Sequence, residues 1–199
     1  MAQPLTFYTE FSSPYAYLAA QTIDEMAARH GREVLWRPVS LGHIFQAIGY
    51  TADMVPKVKR EHSRVDVARC ARLSDVPFVR PESFPVDAKL ARLVFYRLDR
   101  RDPDLARRFA FGVFYKFWGE GHDICEPETL VGLGAGLRID AEEIEAAADD
   151  AEAKAAMIQH TNAAIESGCF GMPWIVVDGE TFWGHDRLDY IDRYLATAG

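Results

Sequence analysis

Three short stretches hold residue types and spacings suited to chemistry: FSSPYA at 11–16, GMPWIVVDGE at 171–180 and FWGHDRLDYI at 182–191. In the first, Ser12 and Ser13 stand before a proline, and an apolar helical run starts at Pro14. A serine there can cap the helix, with Pro14 in the first turn, where its missing N–H is no loss. The same geometry can serve a ligand. A helix start offers free N–H groups and partial positive charge to an anion, and a serine hydroxyl can donate to it. In the third stretch, Asp186 can cap the last helix. Alternatively, the N–H groups around Asp186 could receive an α-carboxylate while its own carboxylate takes an ammonium. Carboxylate and ammonium on one carbon are the mark of an amino-acid end.

These residues need elements to hold them. Residues 5–9, LTFYT, are aromatic and β-branched and predict a strand; 14–30 predict a helix that stops at Gly31. Residues 33–37 predict a second strand, so the opening reads as a right-handed βαβ unit with parallel strands. From 41 to 154 the texture is helical, with helices expected near 62–74, 86–99, 103–118, 126–134 and 140–148 between proline-marked breaks. A helix over 151–167 ends at Gly168. WIVV at 174–177, Asp178-Gly179 and 180–183 then read as a hairpin, followed by a helix over about 185–196. The order predicts an α/β, thioredoxin-like fold with a large all-helical insertion. Residues 1–40 and 155–199 would form the thioredoxin-like domain, and 41–154 the insertion. In such a fold Met172-Pro173 stands where a cis-proline precedes a buried strand. A cis bond would turn the Met172 backbone toward Ser13, where an extended peptide could pair with it as an added strand. An ordinary trans proline opening the strand is the alternative.

Composition sets the outer limits. The chain has 199 residues, 49% apolar and 26% charged, with a formal net charge of -8 and no run of lysine or arginine. That argues against a nucleic-acid partner. No stretch approaches a membrane span, and MAQPLTFYTEF lacks the features of a signal peptide, so a cytoplasmic location is expected. Cys70, Cys125 and Cys169 are too few and too scattered for a disulfide framework or zinc site, and are expected as buried packing residues. His122-Asp123 with Cys125 has poor ligand spacing, and no metal is expected.

The four stretches FYTEFSSPYAYLAA, PKVKREHSRVDVARCARLSDVPFVRP, FYKFWGEGHDI and GCFGMPWIVVDGETFWGHDRL occur in this order along the chain. In order and spacing they resemble the DsbA-like and kappa-class glutathione transferase architecture, and most closely the 2-hydroxychromene-2-carboxylate isomerase family. Ser13-Pro14-Tyr15-Ala16 occupies the place of the Cys-Pro-x-Cys site of DsbA-like thiol oxidoreductases, so no redox pair is present. The resemblance implies glutathione as cofactor. Ser13 would be catalytic, hydrogen-bonding the glutathione sulfur. Met172, before Pro173, would bind its cysteinyl backbone, and Trp183, Gly184, His185 and Asp186 its γ-glutamyl end. It further implies reversible conjugate addition of the thiolate to an unsaturated carbonyl compound, an aromatic carboxylate in this family, and a homodimer. Phe45, Lys57, Lys59, Arg64 and Phe84 are the candidates for binding that second substrate, against the plainer reading of the basic ones as solvated helix residues.

The chain also departs from the family pattern. Phe45 stands where a basic residue is expected, Asp53-Met54 where Asn-Arg is expected, and Phe84 lacks a hydroxyl. Two further readings share the fold. One is a kappa-type transferase or peroxidase that consumes glutathione; the other is a thioredoxin-like binding or chaperone module without turnover.

Overall fold

A computed structural model of the chain describes residues 3–51 and 54–198. Strand β1 (Leu5–Thr9) pairs in parallel with β2 (Val34–Pro38), with Phe7 opposite Trp36. On its other side β1 pairs antiparallel with β3 (Trp174–Val177), which pairs with β4 (Glu180–Trp183). The sheet order is β2-β1-β3-β4. Asp178 and Gly179 both have positive φ, 50° and 89°, which is why this dipeptide can turn β3 directly into β4. Arg32 fixes that turn from outside, with its guanidinium 2.6 Å from the Asp178 carboxylate.

The helix expected over 14–30 is two helices, α1 (Pro14–Ala20) and α2 (Ile23–Arg29). Between them Gln21 turns its side-chain amide back to donate to the Tyr17 carbonyl, and Thr22 leaves helical geometry. The break lets each helix follow its own surface. Tyr17 of α1 packs toward Phe114 of the insertion, while Asp24 of α2 accepts from the indole N–H of Trp36 in the sheet.

The insertion holds α3 (Leu41–Ala47), α4 (Lys57–Leu73), α5 (Lys89–Asp99), α6 (Pro103–Phe114), α7 (Pro127–Gly136) and α8 (Ala141–Ala146), and α9 (Ala151–Glu166) leads back to the sheet. Helix α3 was not expected from the pattern, and α4 begins at 57 rather than 62. The helix expected over 103–118 ends at Phe114 and continues as a π-helical turn, Tyr115–Gly119. The last expected helix opens with a single 3-10 turn, His185–Arg187, before α10 (Leu188–Ala198). Among the described residues the insertion contains no strand. No helix among them is long and apolar enough to cross a membrane.

One core joins the sheet to the insertion. Phe7 meets Trp36 at 5.0 Å, Phe11 meets Phe114 at 5.2 Å, and Phe117 meets Trp118 at 4.9 Å, all in edge-to-face geometry. Each of these rings is almost fully buried, and burying one contributes roughly 1.5–3 kcal/mol. Beside them lies a buried ion pair. Arg92 on α5 donates to Glu10, just past β1, at 2.7 Å, with both side chains under 5% exposed. Arg92 also holds Asp87.

Candidate active site

Ser13 caps α1. Its backbone is extended, and its Oγ accepts from the Ala16 N–H at 3.2 Å. The turn that presents it is itself tied down, since Ser13 N donates to the Glu10 carbonyl and Ser12 N to the Glu10 carboxylate. The capping reading of the sequence therefore holds. It is incomplete, however, because the same hydroxyl also donates to the carbonyl of Met172 at 3.4 Å. The Met172-Pro173 bond is cis, and β3 starts only at Trp174, so Met172 faces Ser13 from outside the sheet ladder. At 3.4 Å this hydrogen bond is long, and a better acceptor arriving between the two could capture the hydroxyl.

No protein thiol competes for that position. Residue 16 is a buried alanine. Cys169, two residues before Gly171, is buried against the Gly171 carbonyl, and burial pushes its thiol up to about 11. The expectation of buried cysteines needs correction at the other two. Cys125 is exposed and Cys70 half-buried; both are free, and burial raises both thiols as well.

The far side of the site is built from the end of β4. Trp183 is 49% exposed and leans on Phe170 at 4.8 Å. Its indole N–H lies over Gly171, where a Cβ would come within 2.7 Å of it, so a side chain there would push the indole aside. Gly184 has φ 110°, and a Cβ there would meet the Asp186 carboxylate at 2.5 Å. The two glycines thus let the Trp183 indole and the Asp186 carboxylate lie close against the backbone next to Met172 and Pro173. Asp186 is exposed and pairs with Arg187 at 3.0 Å. His185 stacks on Tyr15 with ring centres 5.1 Å apart, and burial lowers its pKa, which keeps the ring neutral at neutral pH.

Tyr15 is a contact the sequence did not reveal. Its hydroxyl donates to Asp66 on α4 at 3.0 Å, and burial together with that carboxylate raises the phenol well above its usual value. Tyr15 thus stays protonated and locks the Ser13 turn to α4 and to His185 together. Nothing in the local pattern pairs residues 51 positions apart.

The second-substrate candidates separate into two groups. Phe45 packs on Tyr50 at 4.8 Å within its own segment. Lys57 and Lys59 sit exposed in the first turn of α4, where Lys57 pairs with Glu61. Met54 is exposed, and Asp53 lies outside the described residues. Phe84, by contrast, meets Arg80, which the sequence did not single out, while Arg64 sits exposed on α4. The Arg80 guanidinium lies over the Phe84 ring at 4.6 Å, and burial, with the Arg64 charge second, lowers its pKa.

Comparison with known proteins follows the same lines. The model for the DSBA-like thioredoxin domain matches residues 4–196. A 2-hydroxychromene-2-carboxylate isomerase of Sphingobium xenophagum is 31% identical over 98% of this chain and 99% of the relative. The chain belongs to the 2-hydroxychromene-2-carboxylate isomerase family, within the DsbA-like thioredoxin fold. A solved structure of 2-hydroxychromene-2-carboxylate isomerase superposes with a TM-score of 0.87, at 27% identity over 98% of this chain and 95% of that one. Glutathione S-transferase kappa 2 of Caenorhabditis elegans is 26% identical over 96% of this chain and 90% of the relative. Membership in this isomerase family makes the chain an enzyme, with Ser13 in place of a redox cysteine.

Proposed function

We propose that this enzyme is a glutathione-dependent isomerase acting on an unsaturated aromatic carboxylate, with 2-hydroxychromene-2-carboxylate as the reference substrate. The observation that carries this reading is the Ser13 hydroxyl directed at the Met172 carbonyl across a cis-proline, where no protein thiol is placed to react. The residues fit glutathione. Met172 lies outside the ladder with its carbonyl toward Ser13, Trp183 is half-exposed, and Asp186 is exposed for an ammonium. When bound, glutathione supplies a thiolate nucleophile that can add to a conjugated double bond and leave again after rotation.

The chain's own groups supply the rest. Ser13 turns its hydroxyl from Met172 to the incoming sulfur and favours its ionised form. Free thiols titrate near about 8.5, so a shift of about one or two units makes thiolate common at neutral pH. Met172 holds the cysteinyl backbone beside Pro173, and Trp183, Gly184, His185 and Asp186 hold the γ-glutamyl end. Neutral His185 and protonated Tyr15 add no charge to compete with the sulfur. We assign residues 1–40 and 155–199 to the thioredoxin-like unit and 41–154 to the insertion, with α9 crossing the junction. A cytoplasmic homodimer completes the proposal, by likeness to the family.

The test is a product assay with sub-stoichiometric glutathione. The expected result is interconversion of 2-hydroxychromene-2-carboxylate and trans-o-hydroxybenzylidenepyruvate, with the thiol content unchanged at the end. The kappa-class relative favours a second reading, a transferase, and accumulation of a glutathione conjugate would select it. Failure of the protein to be retained on immobilised glutathione, with no turnover, would leave only a binding module.

A further inference from the structure

Strand β2 closes one edge of the sheet, so one side of its backbone belongs to no ladder. Leu5 N donates to the Glu33 carbonyl and Val39 N to the Thr9 carbonyl, both at 2.8 Å. These two bonds frame the parallel pairing with β1 and fix its alternation. Residues 33, 35, 37 and 39 turn their backbone groups to β1, while Val34 and Trp36 turn theirs outward. The Trp36 carbonyl is already taken, by the Arg37 guanidinium at 2.8 Å. That leaves the Val34 N–H, the Val34 carbonyl and the Trp36 N–H along the edge.

A cavity of about 360 Å³ runs beside them, and four consecutive strand residues, Val34 to Arg37, line it. A cavity over one face of the strand would be lined chiefly by alternate residues. This one therefore lies at the edge, where a further strand would add. Helices α2, α5 and α6 supply its other walls. The charges that line it are unequal: four carboxylates, those of Asp24, Glu33, Asp99 and Asp104, against three guanidinium groups. One of these, Arg32, is spent at 2.6 Å on Asp178, which does not line the cavity. Asp24 accepts from the Trp36 indole at 3.1 Å, and Asp99 from Arg37 at 3.2 Å. Burial nevertheless raises the pKa of both carboxyl groups, so the chain's own donors do not fully offset their desolvation. An added positive charge would.

We propose that the β2 edge is a docking site for an extended peptide carrying lysine or arginine, which adds to the four-stranded sheet as a further strand. The outward backbone groups supply the main-chain bonds, and the surrounding carboxylates select basic side chains. The docking site stands apart from the isomerase reading, since no residue assigned to glutathione takes part in it.

The probe is acetyl-Thr-Lys-Val-Lys-Thr-amide, titrated by calorimetry against the full chain, with backbone amide exchange followed by NMR. Binding should slow exchange at Val34 and Trp36. The same peptide with glutamate in place of both lysines should bind at least about 10-fold more weakly. Methylating two alternate peptide nitrogens on the paired side removes main-chain donors, keeps the charge, and should also cost about 10-fold. In the protein, Glu33→Gln with Asp104→Asn removes two exposed carboxylates and should weaken the lysine peptide by about 3- to 10-fold. No binding at 1 mM peptide (on the order of the weakest affinity a specific site shows) would overturn the proposal. Equal affinity for the lysine and glutamate peptides would do the same, as would binding indifferent to methylation. Protection that falls on β4 instead places the peptide at the opposite edge and refutes the assignment. If Val34 and Trp36 become protected with rising protein concentration and no peptide, a second copy of the chain holds the edge and the peptide reading fails.

Discussion

Ser13 makes two hydrogen bonds of different character. Its acceptance from Ala16 N is a local cap, worth about 1 kcal/mol to α1. Its donation to Met172 crosses the fold to the segment of the cis-proline. Replacing the side chain therefore separates the two effects. We expect Ser13→Ala to lower turnover by about 10- to 1000-fold, as loss of one donor to developing negative charge does elsewhere. Stability should fall by only about 1 kcal/mol. The ultraviolet absorbance of bound thiolate, followed against pH, should show its midpoint moved toward that of free glutathione. Wild-type turnover in this variant, or an unmoved midpoint, would remove the serine from the chemistry.

At the scale of elements, the packing of α9 on α5 carries a pH signature. His160 of α9 stacks on Tyr96 of α5 at 5.5 Å, and burial, aided by Arg37, lowers its pKa to about 4. The unfolded chain would take up that proton near pH 6.5, the folded chain only near 4. Between these values the unfolded state binds more protons, so stability is full above the window and declines as pH falls through it. The whole shift would correspond to about 3 kcal/mol, and for a half-buried ring about 1–2 kcal/mol is reasonable. His160→Phe keeps the stack and removes the proton. Urea midpoints measured across this range should then decline less steeply, by about that amount. His185 shifts in the same direction and leaves a residual slope.

The same scale shows what could be read from the residues alone. The strands, the hairpin and α9 were legible because their periodicity and turn residues agree. The full length of α4 was not, because of its seventeen residues only Val67 and Ala71 are buried. Its first turns have no apolar face to reveal them. Helix α3 buries only Ile44 and was equally silent. At the candidate site, proline and helix-start chemistry point to Ser13, Met172 and Asp186, while Trp183, Gly184 and His185 are candidates through the family resemblance. Tyr15 with Asp66 depends on segments meeting across the fold, and no local pattern encodes such a meeting.

Over the whole molecule, the question is whether sheet and insertion are separable. Glu10 answers it electrostatically. Its carboxylate accepts from Ser12 N and Leu41 N while it pairs with Arg92, so one buried charge binds the Ser12–Ser13 turn, the entry to the insertion and α5. Burial raises the Glu10 pKa, and the Arg92 charge opposes that rise. Removing Arg92 leaves a desolvated carboxylate in a core shared by both halves. Arg92→Met should therefore cost about 3–5 kcal/mol in urea unfolding. Glu10→Gln in the same chain should return part of that loss, because the stranded charge is gone. The unfolding curves should also coincide. Helical signal, reporting largely on the insertion, and tryptophan emission, from residues in both halves, ought to share one midpoint in wild type and variant alike. Two separated transitions would mean that the aromatic contacts of Phe11, Trp36 and Phe114 do not couple the halves, and that the active-site turn rests on the sheet alone.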